Sequence, residues 1–243
     1  MIRADDKARY NVKFKENDQG PRILANDLIA SQIAVRLGVP TPDSVIVEID
    51  QTFLDANPIL GTRYPKPVAP GAHFGSMIVR NTFDNPPVGL INTVSNVADF
   101  PQIIVFDILT ENTDRCNVGN FLIVRLDHYP QQTHFVSIDH GHCFGPNWDL
   151  TLPQRIGSWC KSHLREITDA IRGSDPFRVA ITNASGISPE WLDEVFNYLP
   201  QEWGVSPEEL RALKAFILGQ VLRVEEILSR ERALFPNWQG RSQ

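Results

Sequence analysis

The stretch ILTENTDRCNVGNFLIV, Ile108 to Val124, sets narrow limits on how the chain can fold. It places two acids, an arginine and four asparagine or glycine turn formers between two apolar runs. The upstream run belongs to DFPQIIVFDILTEN, where Asp99 can cap a helix and Pro101 sits near its start, where a missing N–H costs nothing. The downstream run, NFLIVRL, and the later THFVSID read as two short strands around a polar turn, DHYPQQ. A helix is thus joined to a strand pair by a very short, very polar connection. Asp139 ends the second strand and is followed by His140-Gly141. A carboxylate on the helix-to-strand loop, an amide a turn later and a carboxylate on the neighbouring strand can converge. Such a trio suits Mg²⁺, which prefers one or two carboxylates, a neutral oxygen and substrate phosphates. The first carboxylate, Asp114, can then take the proton of an attacking hydroxyl.

The first third of the chain reads strand, helix, strand. RYNVKFK alternates, with Tyr10, Val12 and Phe14 on one face. ILANDLIASQIAVRLG predicts an amphipathic helix on Ile23, Leu24, Leu28, Ile29, Ile33 and Leu37, stopped by Gly38. A strand follows around Val45 to Ile49. Residues 50 to 75 are rich in Pro and Gly (Pro58, Gly61, Pro65, Pro67, Pro70, Gly71, Gly75) and read as loop, with a short strand near HFGSMIV. A lobe boundary is expected at about residues 76–84, where composition shifts toward helix. From Thr151 on the chain reads as mostly helical, with helices expected at 160–172, 189–198 and 207–233. Ser188-Pro189-Glu190 and Ser206-Pro207-Glu208-Glu209 combine a capping serine, Pro at the first helical position and acids in the first turn.

Composition narrows the class. A chain of 243 residues with 42% hydrophobic and 21% charged residues can bury a sizeable core in one large domain or two lobes. Net charge is −6 and no long Lys/Arg run occurs, so nucleic acid is not an expected partner. No apolar run is as long as a membrane span, and MIRADDKARY lacks the apolar region of a signal peptide. Three cysteines, Cys116, Cys143 and Cys160, without zinc-like spacing, read as reduced thiols in a cytoplasmic protein. His140, His142 and Cys143 lie too close together on one segment for a tetrahedral zinc site, and a buried, hydrogen-bonded histidine is the commoner outcome.

NTDRCNVGNFLI followed by SIDHGHCF resembles the HipA-like kinase family, part of the wider protein-kinase-like fold that includes the phosphoinositide kinases. YNVKF and RILANDLIASQIAVRLGVPTP resemble that family's strand lysine and first helix, and GAHFGS its segment entering the interlobe hinge, so the resemblance spans roughly residues 9 to 145. It implies an α+β, two-lobed fold, with a nucleotide-binding lobe over residues 1–80 and a catalytic lobe over 81–243. It also implies ATP and Mg²⁺ as cofactors. Asp114 would be the catalytic base, Asn120 and Asp139 the metal ligands, and Lys13 the contact to the nucleotide's α/β phosphates, paired with Asp27. The acceptor implied is Ser or Thr of a protein, as in toxin kinases, with an antitoxin-like partner. A kinase fold without efficient transfer is the alternative. Four features depart from the family pattern. Five residues rather than four separate Asp114 from Asn120, so that Asn117 competes for the amide role. Asp27 replaces a glutamate, Cys116 stands where relatives often carry histidine, and nothing upstream of Tyr10 resembles a glycine-rich phosphate loop.

Overall fold

The computed structural model describes residues 1–62, 66–83, 87–145 and 148–239; Pro65, and residue 84 at the end of the expected lobe boundary, lie outside the described residues. The alternating segment around Lys13 forms β2 (Arg9–Lys13) of a four-stranded antiparallel sheet. Its partners are β1 (Ile2–Arg3), β3 (Ser44–Ile49) and β4 (Gly71–Met77), in the order β1-β2-β4-β3. Lys13 lies opposite Phe74 in this register. The period of two sends Val12 and Phe14 to the outer face, where they pack with Val47 and Ile49.

That outer face needs a cover, and the cover is the stretch expected to be loop. Gln51–Ala56 is a helix, α2, started by Asp50, whose side chain accepts the Phe53 N–H at 2.7 Å. A 3₁₀ turn follows over Pro58–Gly61. Phe53, Leu54, Leu60 and Val68 from this segment close over the sheet. The dense Pro and Gly punctuation conceals these few apolar anchors.

α1 (Arg22–Leu37) ends at Gly38 in the left-handed conformation (φ +77°), as expected from sequence. It is not a surface amphipathic helix, however. Ile23, Leu24 and Leu28 pack with Phe74 of the sheet and with Trp203, while Ile29, Ile33 and Leu37 enter the core of the helical lobe. The helix is wedged between two layers, which explains why even Asn26 and Asp27 are buried.

The helical lobe is built on α3 (Phe100–Leu109), buried at nearly every position. Asp99 does not cap it. Residues Val97–Asp99 already form a 3₁₀ turn leading into the helix, so Asp99 has helical backbone and its side chain makes no capping bond. The helix also stops before Thr110, short of the expected Asn112. β5 (Phe121–Leu126) and β6 (Tyr129–Ser137) form the expected hairpin, but around only two residues, 127 and 128. Residues 81–83 run along β5, with Phe83 N–H donating to Ile123 O at 2.9 Å, and so link the sheet to this hairpin.

Of the C-terminal helices, α6 (Pro189–Asn197) and α7 (Pro207–Arg230) start as expected. Ser188 accepts the Trp191 N–H, and Ser206 forms a reciprocal capping box with Glu209. The helix expected over 160–172 shrinks to α4 (Arg165–Ala170), because Ile171 is extended and Gly173 takes φ +101°. α5 (Arg178–Ser185) was not foreseen; its Val, Ile and Thr residues weaken the helical signal. Among the described residues no helix is long and apolar enough to cross a membrane.

Candidate functional site

Lys13, at the end of β2, reaches two acids at once. Its Nζ lies 2.6 Å from Asp27 Oδ2 and 2.9 Å from Asp139 Oδ1. The side chains differ sharply in exposure: 2% for Asp27 and 48% for Asp139. Their chemistry differs accordingly. Burial pushes the Asp27 carboxyl up to about 6, against the pull of the Lys13 charge. For Asp139 burial acts the same way, but the Lys13 charge and hydrogen bond outweigh it and hold the carboxyl below its usual value. Burial alone would lower Lys13; the two carboxylates together raise it. At neutral pH the group facing the cleft is therefore an ionised Asp139 beside a charged lysine.

The shorter acid on α1 reaches Lys13 because the helix sits close to the segment after β6. Asn26 Nδ2 donates to Gly141 O at 2.9 Å, and Asn26 Oδ1 accepts the Trp148 indole N–H at 2.8 Å. The Asp27 carboxylate also accepts the His140 backbone N–H. Gly141 permits this approach: a Cβ there would fall 2.6 Å from Ile23 Cγ1 and 3.1 Å from Asp27 Oδ2. Asp139 itself takes the left-handed conformation (φ +54°), which Asp tolerates better than most residues and which turns its carboxylate toward Lys13. Gly141→Ala is accordingly expected to push this segment off α1 and to destabilise the fold by about 1–3 kcal/mol, the usual cost of overpacking. Chemical denaturation should show this as a lower midpoint with an unchanged slope.

Asp114 and Asn120 form the second group. Asn120 Nδ2 donates to Asp114 Oδ2 at 2.8 Å and to the Asp114 carbonyl at 3.0 Å. The extra loop residue is taken up by a 3₁₀ turn over Val118–Asn120, capped by Asn117, whose side chain accepts the Gly119 N–H at 3.0 Å. Asn120 is buried and Asn117 exposed, and both amides donate to Asp114 Oδ2, Asn117 Nδ2 at 3.3 Å. The two groups meet through the hairpin: Ile138 N–H, next to Asp139, donates to Asn120 O at 3.0 Å. Asp139 points to Lys13, and Asp114 pairs with Asn120, across the same strand ends.

Beneath them lies a buried polar network that sequence reasoning only partly saw. Arg115 is 1% exposed and grips Asp107 of α3 through Nε and Nη2, each at 2.9 Å. Its Nη1 donates to Ser137 Oγ at 2.7 Å, and Ser137 Oγ lies 3.0 Å from His140 Nε2. Asn112 donates to Asp107 and accepts the Asp114 N–H at 3.0 Å, setting the angle at which the loop leaves α3. Burial lowers the His140 ring to about 3, so it is neutral and structural. The available signal was Asp107 itself, an acid inside the apolar run IIVFDIL, which demands a buried partner. Among the described residues no three His, Cys, Asp or Glu side chains converge as a metal-binding set. Cys143 is buried, and burial pushes its thiol up.

Between sheet and hairpin is a cleft of about 630 Å³, lined by Phe74, Met77, Leu122 and Ile138, with Lys13, Asp27 and Asp139 also on its wall. That size and mix of apolar walls with a few charges suit a small-molecule ligand. A strand lysine paired with an acid of the next helix, set over a hairpin carrying a polar loop and an Asp-x-Gly segment, defines a two-lobed protein-kinase-like fold. The family profile described as HipA-like kinase matches residues 1–234, and the chain belongs to that family. The chain is also similar to the proinflammatory kinase CtkA of Helicobacter pylori. The TM-score to its crystal structure is 0.55 at 14% identity, covering 95% of this chain and 90% of that one, a likeness of fold. No protein with a curated description matches.

Proposed function

We propose that the chain transfers the γ-phosphoryl group of ATP to a hydroxyl, most naturally Ser or Thr of a protein, with a nucleotide-binding lobe over residues 1–80 and a catalytic lobe over 81–243. The carrying observation is the bridging lysine: Lys13 is held by a buried acid on one side and an ionised, cleft-facing Asp139 on the other. In this reading Lys13 contacts the α/β phosphates and Asp27 fixes its position. Asp139 and Asn120 fit Mg²⁺, because an ionised carboxylate and a neutral amide are the sparse donor set that this cation accepts while keeping several waters. The ion would neutralise phosphate charge. Asp114 orients the acceptor hydroxyl and accepts its proton as the new P–O bond forms and the bond to ADP breaks. The cytoplasm and a protein substrate or antitoxin-like partner complete the reading.

A second reading, a kinase fold that binds nucleotide weakly, is favoured by one feature. The turn joining β1 and β2 contains no glycine, and three of its N–H groups are already engaged. Ala4 N–H donates to Ala8 O, Lys7 N–H to Ala4 O and Ala8 N–H to Asp6 Oδ1. Backbone groups spent in this way do not cradle phosphates.

Thermal unfolding separates the two. ATP plus Mg²⁺ is expected to stabilise the protein by about 2.7 kcal/mol at a concentration near 100 times Kd, and each alone by much less. The absence of a shift with the pair would overturn nucleotide binding. Incubation with γ-labelled ATP and a lysate then reports whether label enters phosphoserine or phosphothreonine.

A further inference from the structure

β4 is fastened to the helical lobe at both ends. Beyond Met77 the chain runs directly into residues 81–83 on β5. At the other end, the 3₁₀ turn Gln201–Trp203, between α6 and α7, makes the attachment without a covalent link. Trp203 is 1% exposed, its indole N–H donates to Ala72 O at 3.0 Å, and it packs with Leu24, Leu28 and Phe74. Glu202 Oε1 accepts the Ala72 N–H at 2.6 Å, and its Oε2 is ion-paired with Lys15. Lys15 Nζ also donates to Pro70 O at 2.6 Å, and its backbone N–H donates to His73 Nδ1 at 3.1 Å. Gly71, with φ +125°, leaves room for the pair; a Cβ there would come within 2.5 Å of Glu202 Oε2 and also strike Lys15 Nζ. One carboxylate of the helical lobe thus gathers the start of β4 and the end of the segment that carries Lys13.

We propose that Glu202 is a positioning residue for phosphoryl transfer. Acting through Lys15 and Ala72, it sets the sheet at a fixed height above the hairpin, so that Lys13 meets Asp27 and Asp139 before nucleotide arrives. Lys15 is two residues beyond Lys13, so a displacement of Lys15 carries directly to the lysine in the cleft. The sheet is then held at two points on opposite ends of β4 and does not swing about the 78–80 connection alone. The proposal rests on the nucleotide role assigned to Lys13 above.

The test uses the full chain with Glu202→Ala, Lys15→Ala and the double variant, and two readouts. In nucleotide-free protein, amide hydrogen exchange over residues 9–15 and 71–77 should speed up on the order of tenfold in each single variant, and by less than the product of the two in the double, because the variants share one charge-assisted contact and each also loses a bond of its own. α3 and α7 should keep wild-type exchange. In turnover assays KM for ATP should rise by roughly five- to tenfold with kcat within about a factor of two, since the loss is in pre-set geometry and not in the reacting groups. Unchanged exchange in the two strands, equal acceleration throughout the protein, or kcat falling as far as kcat/KM would each overturn the proposal. A wild-type protein that takes up no nucleotide overturns the role of Lys13 instead, and the exchange readout then still upholds or sinks the joint.

Discussion

Asp114→Asn is expected to lower phosphoryl transfer by about 10²- to 10⁴-fold, the range for loss of a positioned general base. The substitution removes the proposed proton acceptor and keeps the shape. Asn120 Nδ2 can still donate to an amide oxygen in place of Asp114 Oδ2, and the Asp114 N–H remains held by Asn112 Oδ1. Stability should therefore stay within about 0.5 kcal/mol of wild type, as for substitutions that leave packing intact. Nucleotide binding should also survive, because Asp114 is not on the wall formed by Lys13, Asp27 and Asp139. The check is a pair of measurements on one preparation: initial transfer rates with labelled ATP, and the ATP–Mg²⁺ thermal shift. Full activity in this variant would remove Asp114 from the chemistry.

Lys13→Met should affect binding and stability together, and in a pH-dependent way. Removing the ammonium leaves Asp27 buried with no cation, since its ion pair is with Lys13. Breaking one side of a buried pair typically costs about 3–5 kcal/mol. Here Asp27 has an escape: burial already holds its carboxyl near 6, and without Lys13 it rises further and the group is protonated on folding. A carboxyl whose folded pKa is raised contributes stability that is full below the unfolded value and is lost as pH rises toward the folded one. The deficit of Lys13→Met relative to wild type should thus be small at pH 5 and grow above pH 6, by about 1.4 kcal/mol per pH unit while the carboxyl remains protonated. Denaturation at pH 5 and pH 8 measures it. Adding Asp27→Asn should recover most of the stability at pH 8 and none of the nucleotide affinity. A deficit independent of pH would mean that Asp27 is ionised without Lys13.

Local rules made much of this legible from sequence. The β2 alternation, the Gly38 stop, the two serine-capped helix starts and the hairpin after Asn120 are all signalled by neighbouring residues. The errors came where long-range packing decides. Gln51–Ala56 is a helix because the sheet's outer face needs Phe53 and Leu54, which no local pattern reports. Asp99 fails as a cap because the chain already arrives turned. At the site, five charged and amide residues could be picked out by type, and the structure gathers them in two groups, Lys13 with Asp27 and Asp139, and Asp114 with Asn120, linked by the Ile138–Asn120 backbone bond. Their supports, Asn26 on Gly141 and Asp107 on Arg115, lie far apart in the sequence or are masked by apolar neighbours, and only the folded chain shows them together.

The burial of α1 on both flanks has a consequence for control of the molecule. In a kinase whose corresponding helix rests on the small lobe alone, a modest push can rotate it outward and separate lysine from acid. Here such a rotation would pull Ile29, Ile33 and Leu37 out of the main core, at about 1.5–3 kcal/mol for each side chain returned to water. It would also tear Asn26 from Gly141 and Trp148. The Lys13–Asp27 contact is therefore held by the core itself, and on the proposed kinase reading an off-switch would act by blocking entry to the cleft or by withholding the acceptor.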